Sequence, residues 1–363
     1  MEIKINNENY HTNEITKEEW TYVKKTKLEL FKTYSKLNTF IQFEIKKKKY
    51  LLSKAELDCL IQKLILANLK YIKDIYSDKL CDKNQINKFV YKNMIKTFPY
   101  ALDLNNQINM NRPYLYEPVN LITISLLYRM QAKVDKNIQN IKEKDLFHIY
   151  VMLLINNLVR SIKSSLIMFS IGDDIHGYSL FKGIIEQLAM IVNAYRNKDD
   201  FVEATTINRL LFSIDGGAEL DEEAKITLQK FKDKYKCKDS NIEKIVRYGW
   251  CKTSKKPIQN SSDFIKSAFG SINDSFLNLY KVTSKLIHED CIATPYDYVN
   301  MRIGSKDVLM LLTDLAFKLL NKAGISFTKE DNKLSALLLE FDNTNILNEL
   351  DIDKLWDELN ESE

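Results

Sequence analysis

Nine glycines and five prolines in 363 residues leave this chain little turn chemistry. Sandwiches, barrels and glycine-rich nucleotide folds need frequent glycine or proline where strands and helices reverse, so the scarcity argues against all three. Apolar residues recur at helical spacing along the whole length, with no long strand signal and no internal repeat. At 45% apolar the chain can bury a sizeable core. The expected fold class is all-α, a helical bundle with additional N-terminal helices and an acidic C-terminal helix.

Helix starts and stops can be placed from local chemistry. Thr16 to Glu19 and Ser53 to Glu56 both have the spacing of a capping box. The second opens a stripe of Leu60, Ile61, Leu64, Ile65, Leu69 and Ile72 at helical spacing. Lys46 to Lys49 suit the carbonyl end of the preceding helix, where cations complement the dipole. A further helix is expected near 84–97. The three prolines and many asparagines of 98–118 predict a break. Long helices follow at about 117–136, 142–170, 174–196 and 199–213, with Asp173 or Asp174 placed to cap the third. Shorter charged helices are expected over 221–250, then helices near 262–269, 272–289, 305–323 and 344–359, with Gly304 and Ser305 starting the penultimate one. The predicted division is a net basic helical region (1–98), a linker or long loop (99–116), a main bundle (117–325) carrying the candidate site, and an acidic helical tail (326–363).

Net charge is +4, unevenly placed. Residues 1–100 hold 20 Lys, no Arg and 12 Asp/Glu, whereas residues 331–363 hold 2 Lys and 10 Asp/Glu. The two ends are therefore either solvated helices of opposite sign that lie against each other, or a basic surface for phosphate backbones. The absence of Arg favours the first, because bidentate phosphate recognition uses Arg. Five scattered cysteines, without a CxxC or Cys/His cluster, predict reduced thiols and neither a disulfide framework nor a zinc site. The polar N-terminus has no signal-peptide pattern, and the most apolar run, Leu146 to Val159, falls short of a membrane span. The expected setting is cytoplasmic, without a membrane partner.

The stretch from Ser179 to Val192 reads SLFKGIIEQLAMIV. Lys182 and Glu186 stand four apart, hence on one face of a helix otherwise apolar. A Lys–Glu pair carried into or beside a core must be well satisfied. It is either a network that sets helix register or a functional site. A second polar stripe, Tyr280, Ser284 and His288, is spaced by four and four. Tyr, Ser and His in one row can hydrogen-bond to charges such as Lys182 and Glu186.

The order runs Lys-x3-Glu (Lys182, Glu186), Tyr195, a charged spacer, a tryptophan turn (Trp250) and Tyr-x3-Ser-x3-His (Tyr280, Ser284, His288). This resembles an uncharacterised all-helical prokaryotic family, catalogued as a domain of unknown function. That family looks related to the HEPN-type four-helix bundles of toxin and phage-defence proteins. The resemblance covers about residues 145–295. Members often carry Arg where this chain has Lys182, and many HEPN nucleases carry Arg, four to six residues, then His. No histidine here (His11, His148, His176, His288) has an Arg at that distance, although Lys281 stands seven before His288.

The resemblance implies a HEPN-like bundle acting on RNA in phage defence or as a toxin-like effector, with homodimers plausible by analogy. In that reading Lys182, Glu186, Tyr280, Ser284 and His288 line the site. His288 is the acid/base, Lys182 stabilises phosphate, and cleavage is metal-independent with no cofactor. The alternative is a non-catalytic scaffold or sensor in which the same five residues are a structural network. Asp173, Asp174 and His176 form a DDxH cluster that capping explains, and no metal site is expected. Arg247, Tyr248 and Trp250 either stack on a base or plug the core beneath a loop. No Walker A, GxGxxG, GxSxG or HExxH pattern occurs.

Overall fold

The computed structural model describes residues 2–5, 8–11, 17–76, 82–107, 117–138, 145–170, 173–251, 258, 260–269, 275–288, 295–340 and 357. The fold is all-α, as the glycine and proline scarcity predicts, with one small addition. Strands β1 (Glu2–Ile5) and β2 (Glu8–His11) pair antiparallel, Ile3 opposite Tyr10, in a hairpin too short to show as a periodic signal.

The chain divides into two compact units, and the division is not linear. The first unit combines residues 1–128, 166–173 and 330–342; the second combines 129–165, 174–329 and 343–363. The expected break after residue 98 is therefore corrected. Helices α1 (Lys17–Thr33), α2 (Lys36–Lys48), α3 (Lys54–Tyr76) and α4 (Lys83–Gln107) come first, and α4 continues through 99–107, with Pro99 inside it. Residues 108–116 of the expected linker lie outside the described residues. A proline inside a helix removes one backbone donor and crowds the preceding turn. Here Lys48, in the last turn of α2, donates to the Pro99 carbonyl at 2.8 Å and pairs with Asp103, whose other oxygen accepts from Tyr50 Oη at 2.9 Å. Tertiary contacts thus hold a helix that local chemistry would interrupt.

The capping box at Ser53 forms as its spacing predicts. Glu56 N–H donates to Ser53 Oγ at 3.2 Å, and Ser53 N–H donates to Glu56 Oε2 at 2.7 Å. The α3 stripe is core: Leu60, Ile61, Leu64, Ile65 and Ile72 are buried against α1 and α4, with Leu69 at the margin. A helix not expected from the sequence, α14 (Lys329–Glu340), belongs to this same unit. Leu334 and Leu338 are fully buried, and Glu340 pairs with Lys96 of α4 at 2.5 Å. Opposite charges from the two ends of the chain do meet there. The tail expected over 344–359 lies outside the described residues apart from 357.

Helices α5 (Pro118–Ile138) and α6 (Leu146–Ser170) divide their residues between the units. The rest of the second unit is built from α7 (Asp174–Arg196), α8 (Lys198–Asp215), α9 (Glu222–Tyr235), the short α10 (Ile242–Lys244), α11 (Ser261–Phe269), α12 (Ser275–His288) and α13 (Pro295–Lys322). A π-helical turn, Ile245–Gly249, follows α10. Helix α13 starts at Pro295 and runs through Gly304, which corrects the start expected there; proline is well suited to a first helical turn. Helix α7 is the hub, packing against α8, α11, α12 and α13. Phe181, Ile184, Ile185, Leu188 and Ile191 are fully buried along it. Among the described residues α6 alone is long and apolar enough to cross a membrane, and half of its most apolar window is buried. Its end at Ser170 is the one expected, and the apolar window extends past the run Leu146 to Val159.

Candidate functional site

Packing of α12 on α7 brings the two polar stripes together. Tyr280, on α12, is 6% exposed, and its hydroxyl donates to Glu186 Oε1 of α7 at 3.1 Å. Ser261 Oγ, at the start of α11, lies 2.8 Å from the same hydroxyl. A phenol has one proton, so with Tyr280 donating to the carboxylate, Ser261 donates to Tyr280. Burial raises the Tyr280 pKa first, and the Glu186 charge raises it further, against the Ser261 hydrogen bond. The tyrosine is thereby held as a donor.

The expected Lys182–Glu186 ion pair does not form. Both side chains are half-buried at the edge of the core. Lys182 Nζ instead lies over the Tyr280 ring, 5.4 Å from its centroid. Glu186 Oε2 faces Arg247 of the π-helical turn at 3.5 Å. Arg247 also lies over the Tyr248 ring, 5.1 Å from its centroid, and the Tyr248 pKa is raised mainly by burial. An arginine from another element, not the lysine of α7, thus faces Glu186. Spacing along α7 could not show this, since a carboxylate bound by Tyr280 is free to turn its second oxygen outward.

Ser284 is half-buried on α12, and no hydrogen bond joins it to the cluster among the described residues. His288 closes α12, but its side chain lies outside the described residues. Asp173, Asp174 and His176 stand at the start of α7, and no group of three metal-ligating side chains occurs among the described residues. Cys59, Cys237 and Cys251 are free thiols. Trp250 is 1% exposed and packs on Phe201 (5.5 Å) and Phe264 (5.8 Å), so it is a core plug.

A pocket of about 630 Å³ opens beside Arg247, and sequence reasoning missed it. Helix α6 contributes Tyr150, Leu153 and Asn157; α8 contributes Phe201, Asn208 and Arg209; the segment through the π-helical turn contributes Glu243, Arg247 and Trp250. Tyr150, Leu153, Leu154 and Asn157 follow i, i+3, i+4, i+7 spacing, and so do Glu243, Val246, Arg247 and Trp250. Each stripe mixes apolar with polar residues, a signal that was present but reads as ordinary amphipathicity until the faces converge. Arg209 lies over the Tyr150 ring at 5.9 Å, and Tyr150 Oη is 3.2 Å from Thr206 Oγ1.

The backbone under the site is secured from α7. Asn193, 1% exposed, donates from Nδ2 to the Phe264 carbonyl at 3.2 Å and to Ser267 Oγ at 3.1 Å. Arg196 Nη1 donates to the carbonyls of Ser267 and Ala268 at 2.8 and 3.0 Å, covering the C-terminal end of α11. Compared with family models, with curated proteins and with solved structures, the chain matches none.

Proposed function

We propose that this chain is an RNA-acting effector of the bacterial phage-defence or toxin-like type, built on a HEPN-like bundle in its second unit. One observation carries the reading: two polar stripes far apart in sequence converge, with Tyr280 Oη on Glu186 Oε1 at 3.1 Å. Beside that contact stand two cations, Lys182 and Arg247, and Arg247 is exposed. A carboxylate, a phenol held protonated and two cations are groups suited to orienting a phosphodiester and stabilising charge that develops on it. In this reading Lys182 and Arg247 bind phosphate, Glu186 and Tyr280 orient them, Ser284 flanks the cluster, and His288 is the acid/base. The 2′-hydroxyl of RNA gives its proton to His288 and attacks the adjacent phosphorus, and the bond to the 5′-oxygen breaks with that oxygen taking a proton back, leaving a 2′,3′-cyclic phosphate and a 5′-hydroxyl without metal or cofactor. A homodimer is part of the same proposal by analogy with such bundles.

The test is RNA degradation by wild type, His288→Ala and Arg247→Ala, with and without EDTA, alongside thermal melts. The proposal expects cleavage that survives EDTA and disappears in His288→Ala at unchanged melting temperature. Full activity in His288→Ala would overturn the assignment.

A second reading is favoured by the burial of Tyr280 and the double engagement of its hydroxyl. Such a saturated network can serve as a scaffold alone. No cleavage by wild type, with a large fall in melting temperature for Tyr280→Phe, would favour that scaffold.

A further inference from the structure

We infer that the pocket between α6, α8 and the π-helical turn binds a nucleoside monophosphate unit, whether free or as one unpaired nucleotide of a strand. The inference requires no cleavage and shares only Arg247 with the cleavage reading, so its test uses residues of the pocket that the cleavage reading does not use.

Size comes first. A volume of about 630 Å³ lies within the usual range for small-ligand sites and exceeds what a lone phosphate or metal needs. The chemistry of the walls narrows the class. Tyr150, Phe201 and Trp250 form an aromatic floor, with Phe201 edge-on to Tyr150 at 6.5 Å and tilted to Trp250 at 5.5 Å. At the mouth Phe212 is 80% exposed and Leu153 37% exposed, apolar surface that a flat ring would cover. Two guanidiniums, Arg209 and Arg247, come from different elements and can converge on one phosphate. Among the described residues Arg247 is engaged elsewhere by the long contact to Glu186 and by the Tyr248 side chain, and it is 64% exposed, so turning it inward costs little.

The remaining polar groups match the other parts of the same ligand. Asn157 and Asn208 offer both donors and acceptors for a base edge. Asp215 and Glu243 accept hydrogen bonds and so suit ribose hydroxyls, and they oppose a phosphate anywhere but at the arginines. A fatty acid would leave these amides and carboxylates unused, and an inorganic anion would leave the aromatic floor unused. The π-helical turn fits this account, since such distortions concentrate at functional sites.

The experiment is isothermal titration of the full chain with AMP, GMP, CMP and UMP, with adenosine, with inorganic phosphate, and with a mixed-sequence 2′-O-methyl hexanucleotide that cannot be cleaved by 2′-hydroxyl attack. Wild type is compared with Arg209→Ala and Asn208→Trp, both at exposed positions of α8 that the core does not use. The expected result is saturable binding of at least one mononucleotide or of the hexanucleotide, weakened about tenfold or more by each substitution. Mononucleotide binding identifies a free nucleotide as the ligand, and binding of the hexanucleotide alone identifies a nucleotide within a strand. Three results would overturn the inference: no binding of any mononucleotide or of the hexanucleotide, binding indifferent to both substitutions, or phosphate binding as tightly as the mononucleotides.

Discussion

Tyr280 donates its phenolic proton to Glu186 Oε1 at 3.1 Å, joining α12 to α7 across 94 positions of sequence. With Ser261 donating in turn to Tyr280, one hydroxyl ties three helices together. Removing it in Tyr280→Phe takes one hydrogen bond from Ser261 and one from Glu186, at a cost of about 1–2 kcal/mol. Urea denaturation measures this, with Ser284→Ala as the comparison, which should stay near wild type. Equal effects in the two variants would refute the special place given to the Tyr280 hydroxyl.

Glu186 is not the member of a buried ion pair. Its side chain is 25% exposed and its cationic partner Arg247 is 64% exposed. Stripping one partner from a fully buried pair costs about 3–5 kcal/mol. Here Glu186→Ala should cost only about 1–2 kcal/mol, most of it through the Tyr280 hydrogen bond, and Arg247→Ala less than about 1 kcal/mol. A double-mutant cycle between positions 186 and 247 should return a small coupling that fades with added salt.

Alkaline stability has a definite sign. Tyr128, Tyr248 and Tyr280 have pKa values raised above 10.0, in each case first by burial. The folded chain keeps protons that the unfolded chain releases, so this contribution is fully present below the unfolded value and is lost as pH rises through the folded ones. Lys63, buried on α3, runs the other way. Burial lowers its pKa below 10.5, so its effect on stability improves as pH climbs from the folded value towards 10.5. Urea midpoints taken from about pH 8 to about pH 11 should fall less steeply for Tyr280→Phe than for wild type.

Gly249 ends the π-helical turn, and a Cβ there would stand 2.7 Å from Ile245 Cδ1 on the same turn. Gly249→Ala therefore makes the end of the Ile245 side chain turn aside and should destabilise the second unit by no more than about 1 kcal/mol. Ile245→Ala alone loses buried apolar contact, so the measurement is the increment from Gly249→Ala in the two backgrounds, which should vanish when Ile245 is already Ala. An equal increment in both backgrounds would show that backbone conformation, rather than this contact, sets the need for glycine.

Arg196 is exposed, yet it holds two terminal carbonyls of α11. Arg196→Ala should cost about 1–2 kcal/mol and appear as faster amide exchange confined to α11 and the segment it packs on. Arg196→Lys should rescue only part, since a single ammonium cannot reproduce the guanidinium geometry.

Much of the site was legible at the level of single helices. Lys182 with Glu186, and Tyr280 with Ser284, share faces because 3.6 residues make a turn, whatever surrounds them. Which partner each side chain takes was not legible. Lys182 lies on an aromatic ring and Glu186 turns to Arg247, because α12 and the π-helical turn arrive from elsewhere in the chain. Arg247 drew notice only for its aromatic neighbours, and Arg209 drew none, since an arginine on an exposed helix face is ordinary until a pocket forms beside it.

By itself the amino-acid sequence determined the all-α class, most helix cores and the capping box at Ser53, since periodicity and caps are local physics. Tertiary structure alone decided that α4 passes through Pro99, that α14 joins the N-terminal unit, and that faces of α6, α8 and the π-helical turn close on a pocket. These outcomes depend on contacts between residues far apart in sequence, and no local spacing encodes which faces meet.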